Sequence, residues 1–149
     1  MKVIIATDGS ETGNKVADYG VKFAAKLGAA VYGIYVINPK TVELRAAEHK
    51  DNSPGHEKEI DIARKAGEAA LASLASRCKK AGLEVSTGIR HGDPADEIVR
   101  LAGEETADVI VVGNVSKTNI EYMYMGSVSE SVVRTSPCPV LVIRGDMHV

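Results

Sequence analysis

Three short stretches of this chain are apolar at every position: Val3 to Ala6, Val109 to Val112 and Val140 to Ile143. Side chains of a strand point alternately to opposite faces, so a half-wet strand alternates polar with apolar residues. An unbroken apolar run belongs to a strand covered on both faces, the condition met inside parallel sheets flanked by helices. Two more strands fit between these runs. Ala30 to Ile37 ends at Pro39, and Leu83 to Ile89 alternates Val85 and Thr87 with Ser86 and Gly88.

The intervening segments have helical spacing. Val16, Ala17, Tyr19, Gly20, Phe23, Ala24 and Leu27 recur over Thr12 to Leu27, and Gly28 stands where a helix would stop. Ile60, Ala63, Gly67, Ala70, Leu71, Leu74 and Cys78 do the same over Glu57 to Lys80, on a face of small residues suited to close approach. Asp93 and Pro94 suit the N-cap and first position of a helix through about Leu101, and Val128 to Arg134 is the last helical segment. Lys40 to Glu57 is the least regular part. Glu43 to Lys50 is compatible with a short helix, and Asp51 to Gly55 is a turn cluster.

Strand and helix thus alternate throughout, which predicts an α/β fold with a parallel sheet and right-handed crossovers. Five strands suit a doubly wound, flavodoxin-like sheet of order 3-2-1-4-5. Its ligand crevice lies at the carboxyl ends of the strands, where the order reverses between strands one and four. Thr7 to Ser10 and the loop after Val112 would line it. These are the segments richest in glycine and hydroxyl residues. In the second, Gly113 is followed by a polar loop and then by Gly126-Ser127, which opens a helix. Loop amides and a helix N-terminus together attract an anion such as phosphate. An ordinary strand-to-helix turn is the alternative, since glycine and serine also serve such turns for backbone reasons.

Composition narrows the function. A chain of 149 residues suits one domain with a real core. Its 44% hydrophobic and 26% charged residues are those of a soluble globular protein. A net charge of -2 offers no basic face for nucleic acid, and one Phe, five Tyr and no Trp make no stacking platform for single strands. No apolar run approaches the roughly 20 residues of a membrane span. The start, MKVIIATDGS, reads as a strand rather than a signal peptide. Cys78 and Cys138 are far apart with no CxxC, as expected of reduced thiols in a cytoplasmic protein.

Five segments together resemble the universal stress protein family. They are the opening IIATDGSE, then IYVIN, HGDPADEIV, ADVIVVG, and the closing MGSVSESVVRTSPCPVLVIR. The resemblance covers nearly the whole chain. It implies an adenine-nucleotide-hydrolase-like version of the fold reached above and a homodimer through the last strand, about residues 139–144.

The nucleotide-binding branch carries Gly, two residues, Gly, nine residues, then Gly-Ser or Gly-Thr. Here the spacing is kept, from Gly113 through Ser116 to Gly126-Ser127, but Ser116 replaces the second glycine. Serine still offers its amide and adds a hydroxyl. If the backbone there must be left-handed, the replacement costs about 1 kcal/mol. The resemblance implies ATP as ligand, with Asp8 beside the ribose or the phosphate-bound Mg²⁺ and the backbone of Val36 at the adenine edge. It places Gly113, Ser116, Gly126 and Ser127 on the phosphates. Thr7 and Val128 flank these positions and complete the binding set. Lys117 supplies a cation near the phosphates, and Asn114 either bonds the ligand or shapes the turn. Asp8 and Ser127 are also good helix-capping residues.

Three functions compete. The first is an ATP-binding stress-response or signalling module acting on an unidentified protein partner. The second is a dimeric interaction protein without nucleotide, favoured by Ser116. The third is a slow ATPase or nucleotidyl transferase, with no catalytic residue identified. Tyr122, Met123, Tyr124 and Met125 read as a packed lid or an interface. Glu48, His49, His56 and Glu57 match no metal-site spacing, and His91 with Asp93 reads as turn and cap. A phospho-receiver would need an aspartate after strand three, where Ile89-Arg90-His91-Gly92 stands.

Overall fold

In the computed structural model, residues 1–47, 55–114 and 128–145 are described. Five parallel strands form one sheet: β1 (Lys2–Ala6), β2 (Ala30–Ile37), β3 (Val85–His91), β4 (Val109–Gly113) and β5 (Val140–Ile143). Their order is β3-β2-β1-β4-β5, as the alternation predicts. The helices are α1 (Glu11–Leu27), α2 (Pro39–Ala46), α3 (Gly55–Lys80), α4 (Pro94–Glu104) and α5 (128–135).

The apolar runs of β1 and β4 are buried as their pattern requires, whereas in β5, an edge strand, only Ile143 is buried. Val3, Ile4 and Ile5 of β1 are all fully buried, yet they serve opposite faces. Val3 and Ile5 join Val16, Val21 and Ala24 of α1 and Leu74 and Cys78 of α3. Ile4 joins Ile34, Ile110, the α4 residues Ile98 and Leu101, and Val132 of α5. The sheet therefore carries α1 and α3 on one face and α4 and α5 on the other. Burying one such aliphatic side chain is worth about 1.5–3 kcal/mol, so this shared core holds the strand ends in place.

Several boundaries move by one or two residues, among them the start of α3 at Gly55, which was expected to close a turn, and three differences are informative. Pro39 does end β2, but it also begins α2, because Asn38 caps that helix by accepting from the Lys40 N–H at 3.0 Å. Proline at the first helical position gives up only an amide that has no helical partner. The short helix thus starts four residues before Glu43, and residues 48–54 lie outside the described part. β3 begins at Val85 rather than Leu83, whose N–H instead closes the end of α3 on the Cys78 carbonyl at 2.9 Å. Asp93 caps α4 as expected, accepting from the Asp96 N–H, and the helix continues to Glu104. Among the described residues, no helix is long and apolar enough to cross a membrane.

Candidate functional site

β1 is shorter than its neighbours at the carboxyl end, and that difference makes a crevice. Its last pair with β2 is Ala6 with Ile34, and its last pair with β4 is Ile5 with Val111. β2 runs on beside β3, pairing Val36 with Arg90 and Ile37 with His91. β4 runs on beside β5, pairing Gly113 with Ile143.

Alternation then fixes which way the backbone groups point. The Ile34 carbonyl accepts from the Thr7 N–H at 3.1 Å, so Ile34 faces β1. Val36, two residues on, faces the same side, beyond the last β1 pair. The Asn114 N–H donates to the Ile143 carbonyl at 3.1 Å, so Asn114 faces β5 and Gly113, one residue earlier, faces β1. Val36 and Gly113 therefore turn main-chain donors and acceptors toward each other across the end of β1.

The floor of this crevice is the turn from β1 into α1. Ser10 is the N-cap of α1, its Oγ accepting from the Gly13 N–H at 3.0 Å. The Ser10 hydroxyl donates to Asp8 Oδ1 at 2.5 Å, and the Ser10 N–H donates to the same oxygen at 3.0 Å. Asp8 is thus not itself the cap. It anchors the cap and places a carboxylate at the positive end of α1. Gly9 makes the turn in the left-handed region at φ +77. Thr7 is buried, and its Oγ1 lies 3.4 Å from the Gly9 nitrogen.

Gly13 is the residue that sequence reasoning missed. A Cβ there would stand 2.7 Å from Asp8 Oδ1 and 2.9 Å from Thr7 Oγ1. The first turn of α1 approaches both oxygens only because that side chain is absent. The signal was the spacing Ser10-x-x-Gly13, which puts the glycine at the amide that the cap receives.

On the opposite wall, the side-chain oxygen of Asn114 is buried with no hydrogen-bond partner among the described residues. A buried unpaired acceptor costs about 1–3 kcal/mol, so it calls for an explanation. Val128 is half-buried at the start of α5, packed against the cluster that contains Ile4 and Ile110. Thr7, Asp8, Val36, Gly113 and Asn114 thus gather at the carboxyl ends of β1, β2 and β4. Ser116, Lys117, Gly126 and Ser127 lie outside the described residues, as do Tyr122 to Met125.

The other titratable groups are structural. Arg90 on β3 pairs with Glu104 and reaches Glu97 of α4 at 3.9 Å, and Glu97 also pairs with Arg100. The hydrogen bond from Arg90 holds Glu104 below the ordinary glutamate range, and the same bond raises Arg90. Burial pushes the Cys78 thiol up, away from the thiolate needed for nucleophilic chemistry. Cys138 is half-buried, and both cysteines are free. Among the described residues, no group of three or more His, Cys, Asp or Glu side chains could hold a metal ion.

The family model described as "Universal stress protein family" matches residues 1–144. Universal stress protein MJ0531 of Methanocaldococcus jannaschii is 33% identical over 143 residues, covering 96% of this chain and 81% of the relative. Universal stress protein MJ0577 of the same organism is 28% identical, covering 96% and 94%. The solved structure of MJ0577 superposes with a TM-score of 0.74 over the same shares of both chains. A universal stress protein solved in complex with cAMP is 26% identical, with a TM-score of 0.68 and 98% of each chain covered.

Proposed function

Since the chain belongs to the universal stress protein family, we propose that it binds ATP in the crevice over β1 and works as a nucleotide-dependent stress-response module. The observation that carries this reading is the overrun of β1 by both neighbours, which leaves Val36 and Gly113 facing each other. A relative with this fold takes an adenine nucleotide, cAMP.

The residues present fit such a ligand. The Val36 main chain offers a donor and an acceptor suited to the edge of an adenine ring. Gly113 brings backbone without a side chain to the start of the phosphate loop, where Ser116, Lys117, Gly126 and Ser127 would supply amides, hydroxyls and a cation. The unpaired Asn114 amide gains a partner when a polar ligand sits beside it. Asp8 takes both Ser10 bonds on Oδ1, which leaves Oδ2 outside that relay. One carboxylate together with phosphate oxygens is an ordinary way to hold Mg²⁺. When bound, ATP supplies a charged, bulky occupant whose presence biases the neighbouring surface toward a protein partner.

We also propose a homodimer through β5. That strand is a sheet edge, Val140, Leu141 and Val142 are only half-buried, and Val133 on the adjacent α5 is 55% exposed. Such a row would cover itself against a second copy. The reading without nucleotide rests on Ser116 alone.

The test is an ATP titration of nucleotide-stripped protein by calorimetry, with and without Mg²⁺. Micromolar binding supports the proposal. No heat, together with no nucleotide released from freshly purified and denatured protein, would leave the dimeric interaction protein in its place.

A further inference from the structure

One aromatic ring lies between α3 and the turn that carries Asp8. Tyr35 lies on the β2 face that α3 covers, as does Gly33, which packs on Leu71 and Leu74. One edge of the Tyr35 ring lies against α3. A Cβ built on Gly67 would stand 2.6 Å from Cδ1 and 3.0 Å from both Cε1 and Cγ. The opposite edge lies beneath the turn, where a Cβ built on Gly9 would stand 3.7 Å from Cε2. The same Gly9 position is 3.9 Å from the Ala70 Cβ and 4.0 Å from the Ala66 carbonyl oxygen.

The ring therefore lies between α3 and Gly9, tight against Gly67 and within reach of the turn. It has no room to retreat toward α3, because that contact already requires a residue without a side chain. Cγ and Cδ1 are the rigid root of the ring, so a side chain at Gly67 must move either the ring or the helix. Tight packing passes such a displacement on rather than absorbing it.

We propose that Tyr35 is a positioning residue for the nucleotide site. Its ring sets the height of the Thr7–Ser10 turn, and Gly67 of α3 sets the ring. A shift of α3 then reaches Asp8 through Tyr35 and Gly9. The part of this inference that concerns affinity rests on the nucleotide reading above; the mechanical link does not.

Gly67→Ala tests the link, with Gly33→Ala as its matched control. The control also creates a clash under α3, at 2.4 Å from Leu74, but away from the turn. In Gly67→Ala, amide exchange at Ser10 and Gly13 is expected to quicken about tenfold, because their hydrogen bonds belong to the turn. Affinity for ATP is expected to fall about tenfold as well. In Gly33→Ala, thermal stability falls, but neither readout moves more than about twofold. Tyr35→Phe keeps the ring and is expected to keep wild-type exchange and affinity. Tyr35→Leu, which removes the ring without adding bulk, reads the same link should Gly67→Ala not fold.

Unchanged exchange at Ser10 and Gly13 in folded Gly67→Ala or Tyr35→Leu overturns the inference, as does an equal change in the Gly33→Ala control. Altered exchange in a protein that never binds ATP upholds the link and removes the nucleotide reading instead.

Discussion

At the end of β1, Asp8 Oδ1 takes two hydrogen bonds from Ser10, and Ser10 in turn caps α1 on Gly13. At the end of β4, Asn114 keeps a buried side-chain oxygen with no partner among the described residues. The two walls of one crevice thus differ in completeness. The first holds Asp8 Oδ1 and the Ser10 hydroxyl in bonds within its own turn. The second carries an unmet demand that a ligand can answer. A site built this way gains specificity from the finished wall and binding energy from the unfinished one, because a donor supplied to a buried acceptor recovers its desolvation cost.

Gly13→Ala is the strongest way to break this contrast. Its Cβ intrudes on Asp8 and Thr7, so the finished wall loses its geometry. Overpacking of this kind costs about 1–3 kcal/mol, read as a fall in the urea midpoint at constant slope, and ATP affinity should fall with it. Asn114→Ala should separate the two quantities. Removing an unpaired acceptor leaves stability equal or raises it by up to about 1 kcal/mol, while ATP binding weakens. A loss of stability in that variant would mean that Asn114 shapes the turn rather than serving a ligand.

Ser10→Ala removes the α1 cap and should cost about 1 kcal/mol, measured by thermal unfolding without ligand. Ser116→Gly tests the motif position that departs from glycine. If serine holds a left-handed backbone there, glycine recovers about 1 kcal/mol and tightens ATP several-fold. Unchanged or weaker affinity would place Ser116 in an ordinary conformation.

The smallest effect concerns Glu104. Its carboxyl is depressed by Arg90, so its contribution to stability is present above the unfolded-state pKa and is lost as pH falls through the lower folded value. The pair is half exposed, at 25% and 51%, so Glu104→Gln should barely change the melting temperature at neutral pH.

The fold was legible because unbroken apolar runs and helical spacing are core signals, and the core decides the topology. Val3 to Ala6 and Val140 to Ile143 became strands almost to the residue. α2 was hidden because Pro39 reads equally as the end of a strand and the start of a helix, and the Asn38 cap decides which. In the site, the switch-point rule and the motif point to Asp8 and Gly113, and Val36 comes from the family resemblance alone. Tyr35 and Gly67 could not be placed. Their roles are close approaches between elements distant in sequence, and spacing along the chain carries no record of such distances.

Amide chemical-shift mapping during an ATP titration with Mg²⁺ tests the central claim most directly. The account predicts that the largest shifts fall on Val36, Gly113 and the Asp8-to-Gly13 turn, while Thr87 to Ile89 on the far edge of the sheet stay still. Shifts centred on that far edge, or none at all, would contradict it.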